Sequence, residues 1–206
     1  MKIIPIILVM AFCVSCSSVP YTSVNGIKAN PTSMTIENYL LSSSDSILQS
    51  YQTLNFNSRG KIVSSIKRDT NDSLMSKTER RTWFVKKEYP NVLPQYCKTR
   101  FKPNHRERKS CYTQKKHKEN EEIVHYNNLD QIIKVEDNFT NYTTSYYVYD
   151  TNGFHTQTVI KDRFGNFIQD ISYTCIKKDA EGNCELIEER NSLDAVIKIK
   201  KQQFSY

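Results

Sequence analysis

Glycine and proline are scarce: five and six in 206 residues. That rules out a collagen-like repeat and argues against a disordered chain. No apolar run reaches the roughly 20 residues that a membrane-spanning helix needs. The motifs of common catalysts are also missing. There is no Gly-x-Ser-x-Gly, no His-Glu-x-x-His and no glycine-rich phosphate loop, so no enzyme activity, catalytic residue or cofactor is expected. Cys97, Cys111, Cys175 and Cys184 contain no Cys-x-x-Cys pair. His105, His117, His125 and His155 stand at no ligand spacing from them, so no metal site is expected.

The one long apolar stretch lies at the start. Lys2 is followed by a nearly pure apolar run from Ile3 to Val14, interrupted by Pro5 and ending in Ser15-Cys16-Ser17-Ser18. A basic start, a short apolar core and a small-residue exit predict a secretory signal peptide over residues 1–15. The exit, Cys13-Val14-Ser15-Cys16, resembles the lipobox of bacterial lipoproteins, with Cys13 where leucine is usual. The resemblance implies acylation (palmitate among the chains) at Cys16 and membrane attachment through that lipid. Ser17 in place of aspartate implies the outer membrane. The alternative is ordinary cleavage near Ser15 or Ser18, giving a free periplasmic protein.

An exported chain meets an oxidising compartment, so its four remaining cysteines predict two disulfides. Three connectivities are open, nearest-neighbour pairing of Cys97 with Cys111 and Cys175 with Cys184 among them. The charge is concentrated. The chain carries net +7, while residues 97–118 alone hold nine Lys or Arg and one Glu, a net of +8. The expected anionic-partner residues are Lys98, Arg100, Lys102, Arg106, Arg108, Lys109, Lys115, Lys116 and Lys118, on a basic, disulfide-pinned loop.

Four of the five glycines share one context: Asn57-x-x-Gly60, Asp150-x-x-Gly153, Asp162-x-x-Gly165 and Asp179-x-x-Gly182. Asn127-x-x-Asp130 and Asn191-x-x-Asp194 repeat it with aspartate in the last place. An Asx side chain bonds its own backbone two residues on, and the fourth position takes the left-handed conformation, giving a three-residue hairpin connection. Between these turns, side chains alternate: Ile171, Tyr173 and Cys175 against Asp170, Ser172 and Thr174, and Ile197 and Ile199 against Lys198 and Lys200. A further turn is expected around Asp137-Asn138, and earlier strands at 48–56, 61–68, 80–88 and 121–126. The predicted fold is mainly β, an up-and-down antiparallel meander of hairpins.

Tyr147-Val-Tyr149-Asp150-Thr-Asn-Gly153 resembles the core of tyrosine-aspartate (YD, RHS-type) repeats, with Asp162-x-x-Gly165-Asn166 as a partial second unit. The resemblance covers roughly residues 127–199 and implies β-hairpins. Phe154 stands where those repeats usually have arginine. Residues 16–33 read as a flexible tether and 34–206 as the β-domain. Ile36, Tyr39 and Leu40 at helical spacing predict one short helix over 34–42. In the simplest register of the 179–182 turn Lys178 pairs with Cys184. Cys175 then faces the other side of the sheet, so a Cys175–Cys184 bridge requires a bulge.

Three functions fit this reading. The first is an envelope interaction module whose basic lobe contacts an anionic lipid surface, lipopolysaccharide or an acidic protein, with no nucleic acid expected; its plain alternative is a solvated loop that binds nothing. The second is a periplasmic carrier of an apolar ligand in a half-barrel. The third, implied by the YD resemblance, is an accessory or immunity protein beside a secreted toxin. His125 and His155 are expected on strands as surface residues.

Overall fold

The computed structural model describes residues 19–41 and 45–206. The predicted signal peptide and Cys16 lie outside them. Fourteen antiparallel strands follow one another: β1 (Ser33–Leu41), β2 (Ser46–Phe56), β3 (Ile62–Asp69), β4 (Leu74–Arg80), β5 (Val85–Tyr89), β6 (Val92–Lys102) and β7 (Arg106–Thr113). They continue as β8 (Lys118–Tyr126), β9 (Ile132–Asp137), β10 (Thr144–Tyr149), β11 (His155–Lys161), β12 (Phe167–Lys178), β13 (Cys184–Asn191) and β14 (Val196–Ser205). Each pairs with the next, and β14 returns to β1 from Ser33↔Ser205 to Leu40↔Lys198, closing the sheet into a barrel. The meander is as predicted; closure turns the expected half-barrel into a full one and removes both free edges.

The Asx turns form as the sequence predicts. In the 57–60 turn the Asn57 side-chain oxygen accepts from the N–H groups of Arg59 and Lys61, and the Gly60 N–H donates to the Asn57 carbonyl at 2.9 Å. Asp150, Asp162 and Asn191 repeat the pattern. Asp69-Thr-Asn-Asp72 is a further copy, with Asp72 at φ 63°, and Thr113 uses its hydroxyl in the same way for the 113–117 turn.

Two expectations need correction. Residues 34–42 do not form a helix: 33–41 are strand β1, and the short helix, α1, lies earlier at Tyr21–Val24. Met34 and Ile36 face inward at period 2, and pairing on both sides of β1 satisfies its backbone, which outweighs the weak helical spacing of Ile36, Tyr39 and Leu40. The predicted 80–88 strand is broken at 81–84 into β4 and β5.

From Val19 onward the expected tether is a packed cap over one barrel end. The Val19 N–H donates to Glu107 Oε1 at 3.0 Å, the Thr22 N–H to the Gly60 carbonyl at 3.2 Å, and the Thr32 N–H to Ser205 at 2.7 Å. Tyr21 stacks on Phe56 with ring centroids 5.7 Å apart. Under this cap sits the core: Met34, Ile36, Leu54 and Phe56, with Tyr21, Ile27, Ile62 and Phe204 packed around them.

Both disulfides pair nearest neighbours, Cys97 with Cys111 and Cys175 with Cys184. Lys178 does pair with Cys184. Register shifts on either side of Lys177 set Cys175 opposite Ile187 on the inner face, and this is the bulge that the second bridge requires.

Candidate functional site

Strand register decides what the barrel encloses. Asn38 on β1 pairs with Lys200 on β14, Lys200 with Ile187 on β13, and Ile187 with Cys175 on β12. Paired residues share a face, so Lys200 points inward and Ile199 outward. The same logic puts Ile171, Tyr173, Thr158 and Tyr147 inside. These side chains wall a cavity of about 540 Å³ floored by residues 21–28 of the cap. That is within the range of roughly 300–1,000 Å³ typical of small-ligand sites.

The walls divide by chemistry. Met34, Ile36, Ile160, Ile171, Ile187 and Phe204 supply aliphatic and aromatic surface. Beside them stands an aromatic group: the His155 ring lies 4.4 Å from Tyr173, 5.3 Å from Tyr147 and 5.5 Å from Tyr149, centroid to centroid. His155 Nε2 sits 2.9 Å from both the Gln157 carbonyl and Thr158 Oγ1. A carbonyl only accepts, so Nε2 carries the proton of the neutral ring. Burial lowers the His155 pKa and raises those of Tyr147 and Tyr173, favouring the neutral form of all three. The expected surface position of His155 is therefore corrected. A bulge pairs Val148 with Gln157 but Tyr149 with His155, turning the imidazole inward.

The charged lining is one-sided. Four lysines, Lys28, Lys67, Lys178 and Lys200, line the cavity, and no carboxylate does. Lys200 is answered from β13 by the buried Glu189, which also lies 3.7 Å from Lys198, and its amine is 5.7 Å from the Tyr173 ring. No carboxylate stands within 4.0 Å of the other three among the described residues.

A separate interior cluster surrounds Glu107, which is 0 % exposed. Tyr126 donates its hydroxyl to Glu107 Oε2 at 3.0 Å. Burial lowers the pKa values of Lys61, Arg80 and Lys109, and the Glu107 charge opposes that shift in each. Burial raises the Tyr126 pKa. The groups that could bind a metal do not gather: no cluster of three His, Cys, Asp or Glu exists among the described residues.

The outer face is laced with ion pairs. Lys77 and Glu79 pair on β4, Arg190 and Glu188 on β13, and Lys134, Glu136 and His125 across β8 and β9. An outward surface of this kind does not match the apolar band of a barrel that faces lipid.

The predicted basic lobe is not a loop but the β6–β7 hairpin, with the β7–β8 turn and the start of β8. Cys97 and Cys111 face inward, so Lys98, Arg100, Lys102, Arg106 and Arg108 face outward as one group. Lys109 points inside, two residues from Cys111. Lys115 and Lys116 stand exposed in the turn at the other barrel end. Arg108 and Lys118 are both bonded to Glu121 at 2.8 Å. The lobe is thus divided among three places, and its outer part keeps Lys98, Arg100, Lys102 and Arg106 without carboxylate partners among the described residues.

No family model matches the chain, and no curated protein matches it. Several solved structures show a weak likeness to it. A porin-like protein from Bacteroides uniformis is 9% identical with a TM-score of 0.39; the match covers 80% of this chain and 56% of that one. The chain therefore spans little more than half the length of that protein. A LolA-superfamily protein from Nitrosomonas europaea is 7% identical with a TM-score of 0.38 and 89% coverage of both chains. A DUF1329-family protein from Desulfovibrio piger is 6% identical with a TM-score of 0.36, covering 85% of this chain and 86% of that one. Likeness at this level assigns neither family nor ligand.

Proposed function

We propose that the protein is a non-enzymatic carrier of the bacterial cell envelope that holds an apolar ligand inside the barrel. The observation that carries this reading is the cavity of about 540 Å³, walled by aliphatic and aromatic side chains of β1 and β10–β14. A filled interior of that size would be dry core; an unfilled one is space for a ligand. The envelope location and the Cys16 anchor belong to the same proposal, supported by the lipobox resemblance and by two disulfides of the kind that persist outside the cytosol. The test is native mass spectrometry of the full chain after purification, with binding of the neutral fluorophore N-phenyl-1-naphthylamine. Co-purified lipid, or probe binding that Ile171→Trp abolishes by filling the cavity, is expected. A ligand-free protein whose probe binding is unaffected by Ile171→Trp overturns the reading.

A second reading is favoured by the outward cations of β6 and β7. Lys98, Arg100, Lys102 and Arg106 lie on one face and point away from the cavity. They would serve as a contact for an anionic surface, weakened by salt. Reversing all four charges should reduce binding to vesicles containing phosphatidylglycerol; unchanged binding removes this role.

A further inference from the structure

We infer that the ligand is an amphiphile with an anionic head group, and that Lys67 receives that group inside the barrel. The inference rests on the reading of the cavity as a ligand site and adds the ligand's charge.

Lys67 lies on β3, opposite Gln52 of β2 and Ser76 of β4. Leu54 and Ser65, one inward step along the same strands, are buried, which fixes the side of the sheet on which Lys67 stands. Its inward neighbours on both flanking strands are therefore neutral. The carboxylates nearest in sequence, Asp69 and Asp72, cap the 69–72 turn. Asp69 accepts from the N–H groups of Asn71 and Ser73, and Asp72 is engaged with Tyr51 and Arg68. None answers Lys67.

Lys67 and Lys200 differ in their partners. Both lysines line one cavity, yet only Lys200 has a built-in counter-ion, Glu189. A partly buried lysine that lines a cavity with no carboxylate partner offers an incoming anion a charge-assisted hydrogen bond. Lys28 and Lys178, at the capped end, add positive potential and no carboxylate balances it in the lining. The aliphatic and aromatic part of the wall, with Met34, Ile36, Ile160 and Phe204, is suited to a hydrocarbon body. Charge and apolar surface together select for a chain-bearing anion over a neutral or cationic one.

The test uses the full chain with both disulfides formed. Bound N-phenyl-1-naphthylamine is displaced with dodecanoate, dodecanol and dodecyltrimethylammonium, three probes that share one chain and differ in head charge. Dodecanoate is expected to displace at about tenfold lower concentration than dodecanol, the scale of one charge-assisted hydrogen bond, and dodecyltrimethylammonium to be weakest. Lys67→Met should erase the preference for dodecanoate, Lys67→Arg should keep it, and Lys77→Met on the outer face should leave it intact. Equal displacement by dodecanoate and dodecanol in the unaltered protein overturns the inference while leaving an apolar carrier standing. So does a preference that survives Lys67→Met. Failure of every probe to bind overturns both.

Discussion

Lys28 and Asn183 are held together by a reciprocal pair of hydrogen bonds across 155 residues of sequence. The Lys28 N–H donates to Asn183 Oδ1 at 2.7 Å, and Asn183 Nδ2 donates back to the Lys28 carbonyl at 3.3 Å. One buried amide side chain thus imitates a neighbouring strand and fastens the cap to the 179–183 turn. Asn183→Ala is expected to cost about 2 kcal/mol, since the Lys28 N–H loses its partner. The loss should be local: hydrogen exchange should accelerate in residues 20–31 before it does in the strands.

Gly60 and Gly165 occupy equivalent turn positions, at φ +69° and +88°, but not equivalent surroundings. A Cβ on Gly60 would lie 1.9 Å from Thr22 Oγ1, whereas one on Gly165 would meet nothing within 4 Å. Gly165→Ala should cost only the left-handed backbone penalty, about 1 kcal/mol. Gly60→Ala should cost more and should also displace the cap from Thr22. Urea melts of the two variants, with hydrogen exchange at residues 20–24, make the comparison.

Glu107 is the carboxylate set among the interior cations Lys61, Arg80 and Lys109. Glu107→Gln keeps the shape and an acceptor for Tyr126 but deletes the charge. A loss of about 2–3 kcal/mol is expected, larger than for an exposed glutamate. Chemical denaturation of Glu107→Gln beside Glu119→Gln, an exposed control, measures the difference.

Glu121 sets an acid-sensitive term. Hydrogen bonds first from Arg108, then from Lys118, with Ser110 adding a third, hold its pKa at about 2, below the ordinary 4.5. A depressed carboxylate stabilises the fold above its unfolded value, and the contribution is lost as pH falls from 4.5 towards about 2. Glu121→Gln should lower stability at neutral pH and flatten the fall in stability across that acid window. Urea midpoints followed from neutral to acid pH report both effects.

The turns were the most legible part of the sequence because their chemistry is local: an Asx side chain and a left-handed residue three places on determine the connection. Asp69-Thr-Asn-Asp72 obeys the same rule and was legible in principle, while Thr113 with Lys116 at φ 65° stretches it. Residues 34–42 read as a helix because Ile36, Tyr39 and Leu40 fit a helix as well as a strand, and pairing to β2 on one side and to β14, at the far end of the chain, on the other resolves the choice. The cavity was illegible for a related reason. Its walls join β1–β3 to β10–β14, and its inward row on β14 runs through Lys198, Lys200, Gln202 and Phe204 rather than through Ile197 and Ile199. One signal was available: Cys111 bonded to Cys97 fixes that face as the inner one, which places Lys109, two residues away, inside with it and off the basic lobe.

The pairing of β1 with β14 also constrains how the protein is made. Ser33 emerges from the ribosome long before its partner Ser205, so until the last strand is synthesised the growing chain presents an open edge able to recruit other chains. Chains truncated before β14 should therefore accumulate as aggregates or as clients of holding chaperones. A circular permutant that joins the two ends and opens the molecule at an exposed hairpin should fold with the same ring of strands.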